Sequence, residues 1–138
     1  LTNALMFKEF HHRIQNMIRN LDDLGVSIDG ASRDTYEKLR LGGRWEKVNE
    51  NLECIAELKN KHNFKIGLHM VVQADNWHEM DDMLALGHKY GADRVYFNKI
   101  EDWNTNIDMG RQRFTHLEEF IEMAKRVDRD PIAWMHTT

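Results

Sequence analysis

Ser27 and Asp29 alternate with Val26 and Ile28, so a hydroxyl and a carboxylate project to one side of a strand, away from the apolar pair. A purely structural reading also fits them, because Asp29-Gly30 is a turn dipeptide and Ser32 a helix cap that any αβ protein can use. Arg40, in the segment Lys38-Leu39-Arg40-Leu41-Gly42-Gly43, either faces a carboxylate or ends a helix in solvent. His69 lies inside the apolar run Ile66-Gly67-Leu68-His69-Met70-Val71-Val72. An imidazole there either donates a hydrogen bond to a ligand or stays a buried neutral ring satisfied by a backbone carbonyl. Asp29, Asp75, Glu101 and Asp102 fall near strand ends, where carboxylates could gather around a divalent ion, although acids are common in loops and caps. The eight histidines form no metal signature: His11 and His12 are adjacent and project apart on a helix, and no His-x3-His or His-Glu-x2-His pair occurs. Cys54, beside Ile55, reads as an inert packed thiol. Trp45, Trp77, Trp103 and Trp134, with eight methionines, read as core and rim filler.

The elements that must position these groups belong to a chain of 138 residues, the size of one ordinary domain. A hydrophobic fraction of 41% and a charged fraction of 30% exclude collagen-like and fully disordered classes. The net charge of −4 argues against a nucleic-acid partner, which calls for clustered Lys and Arg in excess. A single cysteine excludes a disulfide framework and any site built on several thiolates. No run approaches the roughly 20 apolar residues of a membrane span, and no signal pattern opens the chain, so a cytoplasmic location is expected. The start at Leu1-Thr2-Asn3 rather than methionine fits a piece of something longer.

Met6, Phe10, Ile14, Met17, Ile18 and Leu21 share one face at helical spacing, which predicts an amphipathic helix. Leu24 to Gly30 reads as a buried strand closed by a turn. Asp34 and Glu37 fit a capping box for a helix that must break at Gly42-Gly43, and a second helix runs from Trp45 to about Asn60. Ile66 to Gln73, apolar on both faces, predicts a strand covered on both sides. Asn76 and Glu79 match an N-cap and its N3 glutamate for a helix through Met80, Met83, Leu84 and Gly87, with Gly91 at its end. Arg94 to Ile100 is a third strand. After a polar loop through Arg113, Thr115 and Glu118 form a further capping box, and Pro131 to Trp134 reads as a short strand. Helices alternating with strands imply parallel strands joined by right-handed crossovers. No Gly-x-Gly-x-x-Gly follows a strand, so an α/β barrel or incomplete barrel is expected, with function at the carboxyl ends of its strands.

Those strand ends carry a resemblance. Thr2-Asn3 before a helix, Val26-Ser27-Ile28-Asp29-Gly30-Ala31-Ser32, Thr35-Tyr36-Glu37-Lys38-Leu39-Arg40 with Gly42-Gly43, Trp45-Glu46-Lys47-Val48 with Asn51, Val71-Val72 with Asn76 to Glu79, and Phe97 to Trp103 together resemble radical SAM enzymes of the SPASM/Twitch branch. The resemblance implies a partial (β/α)6 TIM-like barrel, of which residues 1–138 form a single domain: strands four to six and the following helix, with residues 1–3 ending strand three. It implies S-adenosylmethionine and a [4Fe–4S] cluster as cofactors of the parent enzyme, where reductive cleavage of the former yields a 5′-deoxyadenosyl radical that abstracts hydrogen from an unknown substrate. By position in the motif, Asn3, Ser27, Asp29, Arg40 and His69 are expected beside the bound cofactor, where the hydroxyl and carboxylate of Ser27 and Asp29 would suit its polar groups. This chain departs from the family in lacking the Cys-x3-Cys-x2-Cys segment and the glycine-glycine-glutamate segment. One thiolate cannot hold the cluster, so the chain alone is expected to be inactive, with no catalytic residue and no metal ligand assigned. The expectation is therefore part of a radical SAM oxidoreductase-like enzyme; a non-catalytic αβ binding module and a carboxylate-metal hydrolase or isomerase are the other readings. An unpaired barrel edge further predicts a homo-oligomer, with no nucleic acid or membrane partner.

Overall fold

The computed structural model describes residues 2–3, 6–99 and 116–135. Four parallel strands form one sheet, β1 (Asp23–Ser27), β2 (Lys65–Val72), β3 (Arg94–Lys99) and β4 (Ala133–Met135), and their spatial order is their chain order. The short helices α1 (Phe7–Phe10) and α2 (Gln15–Arg19) precede β1. Helices α3 (Arg33–Leu39) and α4 (Trp45–His62) link β1 to β2, α5 (Met80–Lys89) links β2 to β3, and α6 (Leu117–Val127) links β3 to β4. This is the alternation expected from the sequence, and it makes the chain an α/β protein with a partial βα arrangement. No helix among the described residues is long and apolar enough to cross a membrane.

Strand alternation sorts the side chains onto two unlike faces. Val26 and Ile28, then Ile66, Leu68, Met70 and Val72, then Val95 and Phe97 are buried against the helices. They pack with Tyr36, Val48, Leu52, Ile55, Met80, Met83 and Val127 in one core. The intervening residues Gly25, Ser27, Asp29, Gly67, His69, Val71, Tyr96 and Asn98 are only half-buried on the opposite face. The apolar run of β2 is therefore covered on one side here, not on both as its sequence predicts. Its second face carries Gly67, His69 and Val71, which are only half-buried.

The sheet continues past β1. Thr2 forms a parallel bridge with Val26, its N–H donating to the Gly25 carbonyl and its own carbonyl accepting the Ser27 N–H, both at 2.8 Å.

Three local expectations need correction. The stripe from Met6 to Leu21 is broken by a 3₁₀ turn at His11–Ile14 between α1 and α2. Four residues at 120° rather than 100° each rotate the stripe by about 80°. Ile18 stays buried while Met6, Ile14 and Met17 lie exposed. Helix α1 is held by Phe7 packing against the core and by polar contacts: the Asn51 amide oxygen accepts the Lys8 N–H at 2.6 Å, and Glu9 pairs with Lys47. Second, α3 is capped by Ser32, whose Oγ accepts the Thr35 N–H at 3.3 Å, and not by an Asp34–Glu37 box. Glu37 instead accepts the Trp45 N–H at the start of α4. Third, Asn76 and Glu79 do not cap α5; a 3₁₀ turn at Trp77–Glu79 leads into it, and both side chains bond elsewhere. The glycine breaks fall as expected, with Gly42 at φ +80° and Gly91 at φ +69°. Ile100, the loop through Arg113 and Thr115 lie outside the described residues.

Candidate functional site

The carboxyl ends of β1 and β2 are joined by side chains where the backbone ladder stops. The Ile28 N–H donates to the His69 carbonyl at 2.8 Å. One position on, the Asp29 carboxylate takes over, Oδ1 accepting the Val71 N–H at 3.0 Å. Its other oxygen accepts from Arg40, Nη2 at 2.8 Å and Nε at 3.1 Å. The same Nη2 donates to Ser27 Oγ at 2.5 Å. Ser27, Asp29 and Arg40 thus form one group on the open face, the ion pair about four-fifths buried.

Local structure explains why Arg40 arrives there. Helix α3 ends at Arg40, whose N–H still donates to Tyr36 O, and the Gly43 N–H turns back onto the Arg40 carbonyl at 2.8 Å. Gly42 supplies the left-handed residue that this reversal needs. The side chain is left at the helix end, directed at the strand ends and bonded to them.

His69 is the register partner of Ser27, and Tyr96 of His69, with Trp134 following on β4. The four make one row across the open face. The imidazole stacks on the Tyr96 ring with centroids 4.4 Å apart and planes 18° from parallel, and Tyr96 meets Trp134 edge-on at 5.5 Å. Burial pushes the His69 imidazole below the usual histidine range, so it is neutral near pH 7. Its ring accepts and donates no hydrogen bond among the described residues, which departs from the carbonyl-satisfied reading of the sequence. Gly67 makes room for the stack, since a Cβ there would lie 2.8 Å from the Tyr96 ring. Below it opens a depression of about 440 Å³, lined by Gly25, Gly67, His69, Arg94 and Tyr96 among others.

Of the five residues marked in the sequence, three converge, His69 stands beside them on the next strand, and Asn3 follows Thr2 along the outer edge of β1. The carboxylates do not gather: Asp29 is held by Arg40, and Asp75 pairs with Lys38 at 2.8 Å. Glu101 and Asp102 lie outside the described residues. No group of three or more metal-ligating side chains forms among those described. Cys54 is half-buried on α4, and burial raises its thiol above the usual cysteine value.

Two residues that the sequence marks only as helix caps, Asn76 and Glu79, belong to the site. Asn76 is fully buried; its Nδ2 donates to the Asp29 and Val71 carbonyls, each at 2.9 Å, and its Oδ1 accepts the Gln73 N–H at 2.8 Å. Glu79, 5% exposed, accepts from the Ala31 N–H at 2.7 Å, Ser32 Oγ at 2.5 Å and Thr35 Oγ1 at 2.6 Å. Burial alone would raise the Glu79 carboxyl, but the bonds from Ser32, Thr35 and Ala31 outweigh it and hold the group below the usual range.

No protein-family model matches the chain. Over 128 residues, 93% of its length, the chain is 19% identical to a probable GTP 3′,8-cyclase of Saccharolobus solfataricus. The chain spans 39% of the length of that protein.

Proposed function

We propose that these residues form one wall of a radical SAM-type barrel, contributing part of the pocket for S-adenosylmethionine and substrate. The observation that carries this reading is the Ser27–Asp29–Arg40 group, three polar side chains drawn together on an open sheet face at the carboxyl ends of parallel strands. Ligands of α/β folds collect at those ends. The motif resemblance supports it, and the similarity to a probable GTP 3′,8-cyclase is in keeping with it.

The donor set fits the organic cofactor. Arg40 spends Nε and Nη2 on Asp29 and Ser27, which leaves Nη1 to meet a carboxylate or hydroxyl. Ser27 Oγ, already accepting from Arg40, retains its own proton to donate. Asp29, with both oxygens engaged, orients Arg40 instead of presenting a free acceptor. His69, neutral and one strand away, offers a donor and an acceptor on the same face. When bound in the assembled enzyme, the cofactor supplies radical chemistry; these residues bind and orient it. The cluster does not fit this chain, because a single cysteine, half-buried and with its thiol raised by burial, cannot supply a set of thiolates. His69 and Asn3 are proposed cofactor-facing neighbours of the triad.

Calorimetric titration with S-adenosylmethionine tests the reading. Weak but saturable binding is expected, lowered about tenfold in Arg40→Ala and in Ser27→Ala, the loss of one charge-assisted contact of about 1.4 kcal/mol. No heat above dilution at millimolar cofactor, or binding indifferent to both substitutions, overturns it.

A further inference from the structure

We propose that the turn between β2 and α5, acting through Asn76 and Glu79, is the positioning element of the strand-end group, holding Asp29 and Arg40 in place from behind without reaching the open face itself. This assignment of roles extends the cofactor-site reading above, on which its ligand readout rests.

Three observations carry it. Asn76 has all its amide hydrogens and its amide oxygen engaged, and two of its three partners are the carbonyls of Asp29 and Val71. These are the two residues whose side chain and N–H make the Asp29–Val71 bond. The amide therefore ties the two strand ends from one side while the carboxylate ties them from the other. Glu79 grips the β1–α3 loop at three points, Ala31, Ser32 and Thr35, which are the entry and first turn of the helix whose last turn presents Arg40. A seven-residue helix is a short lever, so a shift at its start is carried to its end. Glu79 is also the acceptor for Ser32, which in turn caps the Thr35 N–H, so loss of the carboxylate frees the cap as well.

Both residues are buried, and neither is in a position to touch a ligand on the open face. Their use as local caps of α5 would have left all of these groups unmet. Three donors and one carbonyl acceptor, 44 to 48 positions away along the chain, are satisfied by one turn of four residues. A turn built only to start α5 would need none of those bonds.

The test uses the 138-residue chain with Glu79→Gln, Asn76→Asp and the milder Thr35→Val, which removes one Glu79 donor and leaves the Ser32 cap. Glu79→Gln keeps the shape but replaces one acceptor oxygen by a donor. The first readout is the Arg40 Nε–H resonance and the hydrogen-exchange protection of the Ala31 amide. The Arg40 signal is expected to shift or broaden in all three variants, and Ala31 protection to fall about tenfold in Glu79→Gln. Asp93→Asn, which breaks a bond to Lys59 at the opposite ends of the strands, is the destabilised control and leaves the Arg40 signal unmoved. The second readout is S-adenosylmethionine affinity, expected to fall about fivefold in Glu79→Gln and to fall no further when Glu79→Gln is added to Arg40→Ala, since the two act through one group. An Arg40 signal unchanged in Glu79→Gln, Asn76→Asp and Thr35→Val overturns the proposal, as does an affinity loss that simply adds to that of Arg40→Ala. If the unsubstituted chain binds no cofactor, the earlier reading fails and the Arg40 resonance alone decides this one.

Discussion

Arg40 donates through Nε and Nη2 to a single oxygen of Asp29, which leaves the other oxygen to accept the Val71 N–H. One carboxylate thus fastens the end of α3 to β1 and β1 to β2. The pair is largely buried, and in such a place the cost of removing one partner exceeds the net worth of the pair, because the other charge is left without its match.

Asp29→Ala is therefore expected to lose about 3 kcal/mol of stability, since it strands both the Arg40 guanidinium and the Val71 amide. Arg40→Met, which leaves Asp29 bonded to Val71, is expected to lose about 1–2 kcal/mol. Urea unfolding midpoints check the order, and an equal loss in both would show that the Val71 bond contributes nothing.

Acid should unfold the chain in two stages. Burial lowers the His69 imidazole, so below the ordinary value of 6.5 the unfolded chain takes up a proton that the folded chain resists, and stability begins to fall. Glu79 and Asp93 are both held below their ordinary carboxyl values despite burial, Glu79 by Ser32, Thr35 and Ala31, Asp93 by Lys59 and the Ile66 N–H. Their contribution is complete above the ordinary values of 4.5 and 3.8 and is lost as pH falls through the lower folded-state values. Thermal midpoints from pH 8 to 3 should show a shallow limb and then a steep one. His69→Phe should flatten the first limb and Glu79→Gln the second.

How far the site could be read from the sequence depends on how local its signals are. The strand and helix order was legible because each element carries its own period, and the Gly42 break because a glycine pair acts on its own backbone. Alternation and motif single out Ser27, Asp29 and Arg40, and the three side chains meet. Asn76 and Glu79 look like a capping pair, because a polar residue followed three places on by glutamate has the same pattern whether the side chains turn to their own helix or reach back to residues 29–35. The broken stripe before β1 failed for another reason: the period assumes a constant twist, and the 3₁₀ turn at His11–Ile14 changes it. The row Ser27–His69–Tyr96–Trp134 was out of reach, since it exists only through the register of four strands.

Two glycines of the β1–α4 region should respond oppositely in kind. A Cβ at Gly30 would fall 2.5 Å from the Tyr36 nitrogen, 2.8 Å from its Cα and 2.9 Å from the Thr35 carbonyl carbon, all rigid helix backbone. Gly30→Ala is expected to cost more than about 3 kcal/mol and to displace α3 with Arg40. At Gly42 a Cβ meets open space but the φ of +80° is strained for an L residue, so Gly42→Ala is expected to cost about 1 kcal/mol. Chemical unfolding of the two variants separates a clash from a strain.

Tyr36 is fully buried beside Trp45, yet its hydroxyl has no hydrogen-bond partner among the described residues. A buried hydroxyl without a partner costs about 1–3 kcal/mol relative to water. Tyr36→Phe removes that cost and keeps the ring contacts, so it should leave stability unchanged or raise it by up to about 1 kcal/mol. A clear loss in the urea midpoint would reveal a partner for the hydroxyl.

The open face also bears on association of the 138-residue chain. The helices cover one side of the sheet, and on the other His69, Tyr96 and Trp134 stand in one row, Trp134 with 42% of its surface exposed. At the outer edge of β1, Thr2 meets Val26 through a single bridge. Joining two such faces and burying roughly 600 Å² of apolar surface is worth on the order of 15 kcal/mol at about 25 cal/mol per Å², against association costs of about 4–15 kcal/mol. A net charge of −4 sets up little repulsion against it. We therefore expect a dimer in sedimentation velocity at micromolar concentration. Trp134→Glu places a carboxylate at the end of the aromatic row and should return the chain to a monomer with its helical circular dichroism unchanged. A monomer before any substitution would mean that the open face is stable in water as it stands, and a dimer that survives Trp134→Glu would move the contact to the edge of β1.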